Sequence, residues 1–382
     1  MSYANHYKHF MANKKLSKLL ILYSSYIWFI TLAGSILPTI VFRQGITLNQ
    51  MIIGIIFALS TPVILIAFAP SFKAKTAWRI AITGFLIYVF LSVRILNVYQ
   101  FYFSKIISAI SIYFFWVFYN ITHFENTPKH RTGLSSAIIF VIPPIIAVVA
   151  PLLAGYMATK NILFFLIFVF ISYLLVMFFI NYQEDFVLEY SLPAALREIK
   201  STRIFILIHG IWDATIQAFI PIFSLHFIRT PLNYGAYLGY LGLIGVIANL
   251  TLGHHIDKIK KRSIFLYPLS LAISLATFSL VFAIKNLTLW IIVTGIIQFL
   301  NPIFWNIITA LVVDAHQNLR LAMPGREFVL NTGRVIGVSM ILVSFILEPT
   351  PHYLFYILGG TLLVLPILLF WNTKITKKHT YL

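Results

Sequence analysis

The chain has 382 residues, of which 60% are hydrophobic and only 10% charged, and its mean hydropathy is +0.91. A soluble domain carries about 25% charged residues, so ten acids and 28 bases cannot cover a core of this size in water, and lipid is the expected solvent. The formal net charge of +18 is spread as small basic clusters between apolar runs, which points to an anionic membrane surface and away from nucleic acid. With no cysteine, disulfides, thiol catalysis and thiolate metal sites are excluded.

The basic N-terminus leads into an apolar run without a small-residue cleavage site, the pattern of a retained anchor helix. Crossing the hydrocarbon as a helix takes about 20 mostly apolar residues, and twelve stretches qualify. In chain order they are Leu19 to Val41, Met51 to Pro70, Trp78 to Leu96, Phe103 to Thr122, Leu134 to Ala158, Ile162 to Asn181, Ile204 to Ile228, Tyr234 to Gly253, Ser263 to Ile284, Leu289 to Val312, Phe328 to Leu347 and Tyr353 to Trp371. Cytoplasmic loops are enriched in Lys and Arg. With the N-terminus inside, inner segments hold twenty-one of the 28 bases, Arg326 among them, while Arg334 lies within a span. Both termini are then cytoplasmic. One long loop, about Tyr182 to Arg203, holds Glu184, Asp185, Glu189 and Glu198. It divides the chain into an N-terminal half (1–181), a central cytoplasmic loop (182–203) and a C-terminal half (204–382).

The halves share a pattern. Ile27-Trp28 with Thr31 in the first span corresponds to Ile211-Trp212 with Thr215 in the seventh, and Asn49 to Asn233, at one common shift. Phe115-Trp116, Glu125 and Arg131 correspond to Phe304-Trp305, Asp314 and Arg320 at a second, nearly equal shift. A common order at near-constant offset reads as internal duplication. Between the eighth and ninth spans stands Gly253-His-His-Ile-Asp257-Lys258-Ile-Lys-Lys261-Arg262, a glycine followed four residues later by an acid and then by bases.

On these features the chain resembles the major facilitator superfamily of secondary transporters. The resemblance implies an all-α integral membrane fold of twelve transmembrane helices in two pseudo-symmetric six-helix bundles, with Gly253, Asp257, Lys258 and Arg262 as a cytoplasmic gate loop. The equivalent first-half loop, Ser71 to Arg79, keeps its bases and lacks the acid. Ala150-Pro151-Leu-Leu-Ala154-Gly155 in the fifth span resembles an element common among antiporters of that family, which favours export. Lys105 stands where the resemblance places the basic residue of the fourth span.

Charges inside a span cost roughly 2.5–3.5 kcal/mol on insertion scales and mark functional candidates. His209, Asp213 and Gln217, four residues apart, fall on one face of the seventh span. An acid beside an imidazole in a partly desolvated site can carry a coupling proton; the alternative is that the two side chains only hold the bundle together. Gln298, Asn301 and Trp305 share a face of the tenth span, and Trp28 on the first with Trp116 and Asn120 on the fourth offer matching faces from the other half. Each group suits either a solute or interhelical packing. A further set gathers toward the cytoplasmic ends: Glu125, Arg131, Asp314, Arg320, Arg326 and Arg334, with Pro324-Gly325-Arg326-Glu327 reading as the start of the eleventh helix. Ion pairs there would close the inner mouth when the outer one is open; static bridging is the alternative.

The expectation is therefore a secondary active transporter in the inner or plasma membrane, moving a small organic solute by alternating access. Proton-coupled export leads, with uptake of a sugar, amino acid or organic ion as the rival. A membrane-embedded enzyme using His209 and Asp213, a channel and a non-transporting sensor are the remaining readings. The expected partners are a small solute and membrane lipid, with no nucleic acid, no metal and no cofactor beyond a coupling proton, for a monomeric chain that is not an enzyme.

Overall fold

Inside lipid every backbone N–H and C=O must be paired within its own segment, and the apolar runs accordingly fold as helices. The computed structural model describes residues 14–68, 71–127, 132–253, 262–316, 318–347 and 352–375. Among these, eleven helices are long and apolar enough to cross a membrane, and a shorter apolar helix, His352–Leu368, makes the twelfth. The chain is a multi-pass membrane protein. The first span is bent, Lys14–Gly34 being followed by Leu37–Arg43 with Pro38 at the start of the second piece. Asparagine opens three spans at the end opposite the central loop. Asn97 accepts from the Gln100 N–H, Asn161 from that of Leu163, and Asn286 from those of Thr288 and Leu289, each meeting donors that a helix start leaves free.

The buried apolar residues form two large clusters. One is built mainly from the first six spans and borrows Ala195, Val313 and Met323; the other is built mainly from the last six and borrows Val41, Ile46, Met51, Ile52 and Phe101. Phe328 packs against both. Two helix pairs join these bodies: the fifth span (Thr132–Lys160) lies along the eighth (Pro231–Gly253), and the second (Leu48–Phe68) along the eleventh (Leu319–Leu347). Lipid tails are as apolar as leucine, so helices gain most by close approach, and small residues permit it. Glycine supplies that approach on the eighth span. A Cβ on Gly242 would stand 2.6 Å from the Ala147 carbonyl carbon, and one on Gly155 2.6 Å from the Pro231 oxygen.

The central segment is ordered by contacts to both bodies. Strand β1, Ser71–Lys73, pairs antiparallel with β2, Val187–Glu189, with Phe72 opposite Leu188. Asp185 accepts a 3.0 Å hydrogen bond from the Lys75 N–H and Phe186 O accepts one of 2.8 Å from Ala74. The third span (Ala74–Val93) thus receives its N-terminal acceptors from this loop, since Lys73 at its own cap position makes none. Tyr190 is anchored by Ile66 O and the Tyr113 hydroxyl, each at 3.2 Å. Farther on, the short helix Leu192–Glu198 packs on the eleventh span, where a Cβ on Gly325 would lie 2.6 Å from Ala195 O.

The eleventh helix begins at Leu319 and runs through Pro324, nine residues before the Phe328 start read from the sequence. Asn318 accepts from the Leu321 N–H and acts as the start signal, while Gly325 serves the contact with Ala195. Arg320 and Arg326 consequently belong to the helix.

Candidate functional site

The seventh span, Arg203–Ala214 continued through a π turn at Thr215–Phe219 into Ile220–Phe227, crosses the eleventh at glycines from both sides. A Cβ on Gly210 would meet Gly333 Cα at 3.1 Å, and one on Gly337 would meet the Ala214 Cβ at 2.6 Å. At this crossing Arg334 Nε donates to Asp213 Oδ2 at 2.7 Å; the Asp213 side chain is fully buried and that of Arg334 is 14% exposed. The expected pairing of Asp213 with His209 is replaced by this ion pair, and no hydrogen bond joins His209 to Asp213 among the described residues. An arginine brings the carboxylate a permanent positive charge as well as a hydrogen bond.

The pair is one end of a continuous polar chain. Arg334 Nη1 donates to Asn331 Oδ1 at 3.2 Å, Asn331 Nδ2 donates to Glu327 Oε2 at 3.5 Å, Arg326 Nη1 donates to Glu327 Oε1 at 2.5 Å, and Arg326 Nη2 donates to Thr309 at 3.5 Å. Trp305 of the tenth span (Leu287–Ala315) lies beneath both guanidinium groups, with Arg326 Cζ 5.4 Å and Arg334 Cζ 5.7 Å from its ring and the His209 ring 4.3 Å away. Cation–π contact of this kind strengthens when desolvated. Two arginines and two carboxylates are therefore held together at balanced formal charge. Several buried atoms have no hydrogen-bond partner among the described residues: His209 Nε2, Asp213 Oδ1 and Thr215 Oγ1 on the seventh span, Asn301 Oδ1 on the tenth and Arg326 Nε on the eleventh. A buried polar group without a partner is costly, and three of these atoms belong to the polar chain and to the histidine beside it.

The structure thus joins two sets that the sequence kept apart. Asp213, His209 and Trp305 meet Arg326 and Arg334, which had been assigned to the cytoplasmic end. Gln217 lies within the π turn and is exposed, whereas Asp213 is buried. Glu327 and Asn331 were missed. Their signal is spacing, since 327, 331 and 334 follow the helical period along one face of the eleventh span.

The remaining candidates lie elsewhere. Trp28 Nε1 donates to Ser172 of the sixth span at 3.2 Å, so this ring serves packing within the first body. Trp116 lies edge-on to Tyr23 at 5.8 Å, and Asn120, one turn on, is likewise half-buried. Gln298 reaches Gly245 of the eighth span, with Nε2 3.5 Å from where a Cβ would stand. Lys105 donates to the Tyr88 hydroxyl at 3.0 Å, beside the rings of Tyr88 and Phe101. It has no acid partner among the described residues. Gly253 ends the eighth helix. Arg131, Asp257 and Lys258 lie outside the described residues, as do the side chains of Arg262 and Asp314.

At the loop end of the bundle Arg320 and Glu125 come together, Nε to Oε1 at 2.7 Å and Nη2 to Oε2 at 3.2 Å, a two-pronged bridge from the eleventh span to the fourth (Val98–Glu125). Beside it the Thr202 hydroxyl and His316 Nε2 are 2.9 Å apart, and Glu198 accepts from the Asn318 N–H at 3.4 Å. Burial holds the His316 pKa below the usual histidine value, with nearby Glu198 acting weakly in the other direction. Two clefts occur away from the polar chain. One of about 600 Å³ separates the outer parts of the eleventh and twelfth spans, and one of about 300 Å³, between Thr47, His226 and Phe345, opens at the end opposite the loop.

No protein-family model and no curated relative matches the sequence. Solved structures do match over nearly the whole chain. A D-xylose–proton symporter superposes with TM-score 0.67 at 13% identity, covering 96% of this chain and 100% of that one. A POT family transporter in complex with 5-aminolevulinic acid gives 0.67 at 12%, covering 94% and 96%. The human organic anion transporter MFSD10 (TETRAN) gives 0.63 at 13%, covering 92% and 98%. At such identities the likeness is one of fold.

Proposed function

We propose that this chain, whose fold is that of the major facilitator superfamily, is a secondary active transporter that moves a small organic solute by alternating access with protons as the coupling ion. The observation that carries this reading is the buried Asp213–Arg334 pair inside a polar chain with unused donors and acceptors. An ion pair held in a low-dielectric interior persists only while both partners are charged. Protonation of the acid therefore releases the arginine, and one proton becomes a change in the bonding of the seventh and eleventh spans. The latter touches the first body along the second span and at Glu125, so that change can reach the contact between the halves.

The positive-inside bias supports a cytoplasmic loop end, where the Glu125–Arg320 bridge and the central segment would serve as the inner gate. The Ala150–Gly155 element, whose Gly155 lies in the close contact between the fifth and eighth spans, resembles one common among antiporters, but a proton and a solute that occupy the pair together would be carried in the same direction. The test is solute counterflow and proton flux in liposomes holding the purified chain, screened with organic anions, organic cations, sugars and amino acids. The expected result is a solute that moves with protons, and an Asp213→Asn variant that still exchanges it without concentrating it. A variant that concentrates solute as the parent does removes Asp213 from coupling, and no movement of any solute by the parent defeats the transporter reading.

A further inference from the structure

Which solute the site accepts follows from the charges in the described spans that lie about two turns or more from a helix end. They are Lys105, Arg326 and Arg334 against Asp213 and Glu327. Both acids are engaged by arginine, whereas Lys105 is met by a hydroxyl and aromatic faces. The exposure is lopsided as well: the Asp213 side chain is 0% accessible behind an Arg334 that is 14% accessible. A solute arriving at this pair meets a guanidinium first.

We infer that the solute is an organic anion whose carboxylate pairs with Arg334 while Asp213 carries the coupling proton. The inference rests on the transporter reading and deepens it. With Asp213 ionised the polar chain is neutral and its guanidinium groups are occupied. When the proton arrives the chain gains one positive charge, and a buried arginine left without a counterion is strongly disfavoured. An incoming carboxylate restores the balance with the planar two-pronged geometry that guanidinium offers. The same holds if the proton settles on Glu327, since Arg326 is then released; its Nε is already without a partner. An organic cation finds no free carboxylate and meets a net positive interior.

Arg334, bonded to it, and Arg326, close enough to act on its charge, are the charged groups that face Asp213 from the eleventh span; His209 on its own span, Trp305 from the tenth and Asn331 from the eleventh stand around those two arginines. Glu327 additionally faces Tyr113 of the fourth span. Proton and anion bind together and travel together, which makes an inward proton gradient drive uptake in place of the export expected from the fifth span.

The test uses the purified full chain in detergent and reads melting temperature against matched pairs of one skeleton: butyrate and butylamine, benzoate and benzylamine, indole-3-acetate and tryptamine. At pH 5.5 at least one carboxylate raises the melting temperature and its amine does not, and at pH 8 the carboxylate's apparent Kd is at least tenfold weaker. Asp213→Asn, a fixed mimic of the protonated acid, binds that carboxylate at pH 8 as the parent does at pH 5.5. The double variant Asp213→Asn with Arg334→Gln, which leaves no unpaired charge, melts in a single transition and does not bind it. Preference for the amine, binding retained in the double variant, or no binding by any carboxylate overturns the inference. An amine that moves with proton flux in liposomes would overturn it and leave the transporter reading standing.

Discussion

Asp213 and Arg334 are 121 positions apart in the chain, and hydropathy marks each as an expensive charge without saying that they meet. Spacing along one helix led to His209 as the partner because four residues is the only neighbourhood a single span reveals. The ion pairs also differ in weight. Glu125 and Arg320 have side chains 35% and 48% exposed, and exposed pairs contribute about 0–1 kcal/mol; Arg320→Ala is therefore expected to shift unfolding in denaturant by less than about 1 kcal/mol. Asp213→Ala strands a buried guanidinium and should cost about 3–5 kcal/mol. Adding Arg334→Leu to it should recover most of that loss, and equal destabilisation by the single and double variants would show that the pair is not the cause.

His316 gives a pH effect with a definite sign. Its pKa is lowered in the folded chain, so below the ordinary histidine value the unfolded chain binds more protons and stability falls as pH drops. The contribution is complete above the unfolded pKa, about 6.5. In denaturant titrations from pH 8 to pH 5.5, His316→Gln should show a flatter decline than the parent. An unchanged slope would place the pH sensitivity elsewhere.

Among the elements, the apolar spans were legible because lipid demands long uninterrupted helices, and the central loop was legible because it concentrates acids. Helix starts were less so. Pro324-Gly325 has the composition of a beginning, yet Asn318 caps the eleventh helix and Gly325 is required by the backbone of Ala195. The π turn after Asp213 leaves no mark in composition, so an unbroken helical period was read through Gln217. Glycines at the crossing of the seventh and eleventh spans set the depth at which Asp213 and Arg334 meet. A methyl on Gly333 would stand 3.0 Å from Gly210 Cα and closer still to Leu207 O. Gly333→Ala is expected to push the helices apart, cost about 1–3 kcal/mol and weaken proton-driven accumulation. Stability and accumulation equal to the parent's would mean that the close approach is dispensable.

Across the whole molecule, two apolar bodies are joined by helix pairs along their length and by a central segment that grips both at the loop end. The β1–β2 ladder, Asp185 and Tyr190 fasten that segment to the first body, and the Leu192–Glu198 helix, Thr202 and Glu198 fasten it to the second. The first-half loop without its acid now has an account, because Asp185 supplies the carboxylate to the third span from the central loop. No local pattern in the sequence reveals that substitution. Alternating access requires the loop end to open while the opposite end closes. The chain has no cysteine, so label pairs can be introduced without background. The most direct measurement is the distance distribution between spin labels in nanodiscs at pH 8 and at pH 5.5, each with the carboxylates of the binding test present. Tyr182→Cys with Ala315→Cys serves the loop end, and Leu96→Cys with Lys285→Cys the opposite end. The expected result is a loop-end distance that lengthens on acidification as the other shortens. Distances that stay fixed, or that change together, would contradict a proton-coupled alternating-access carrier.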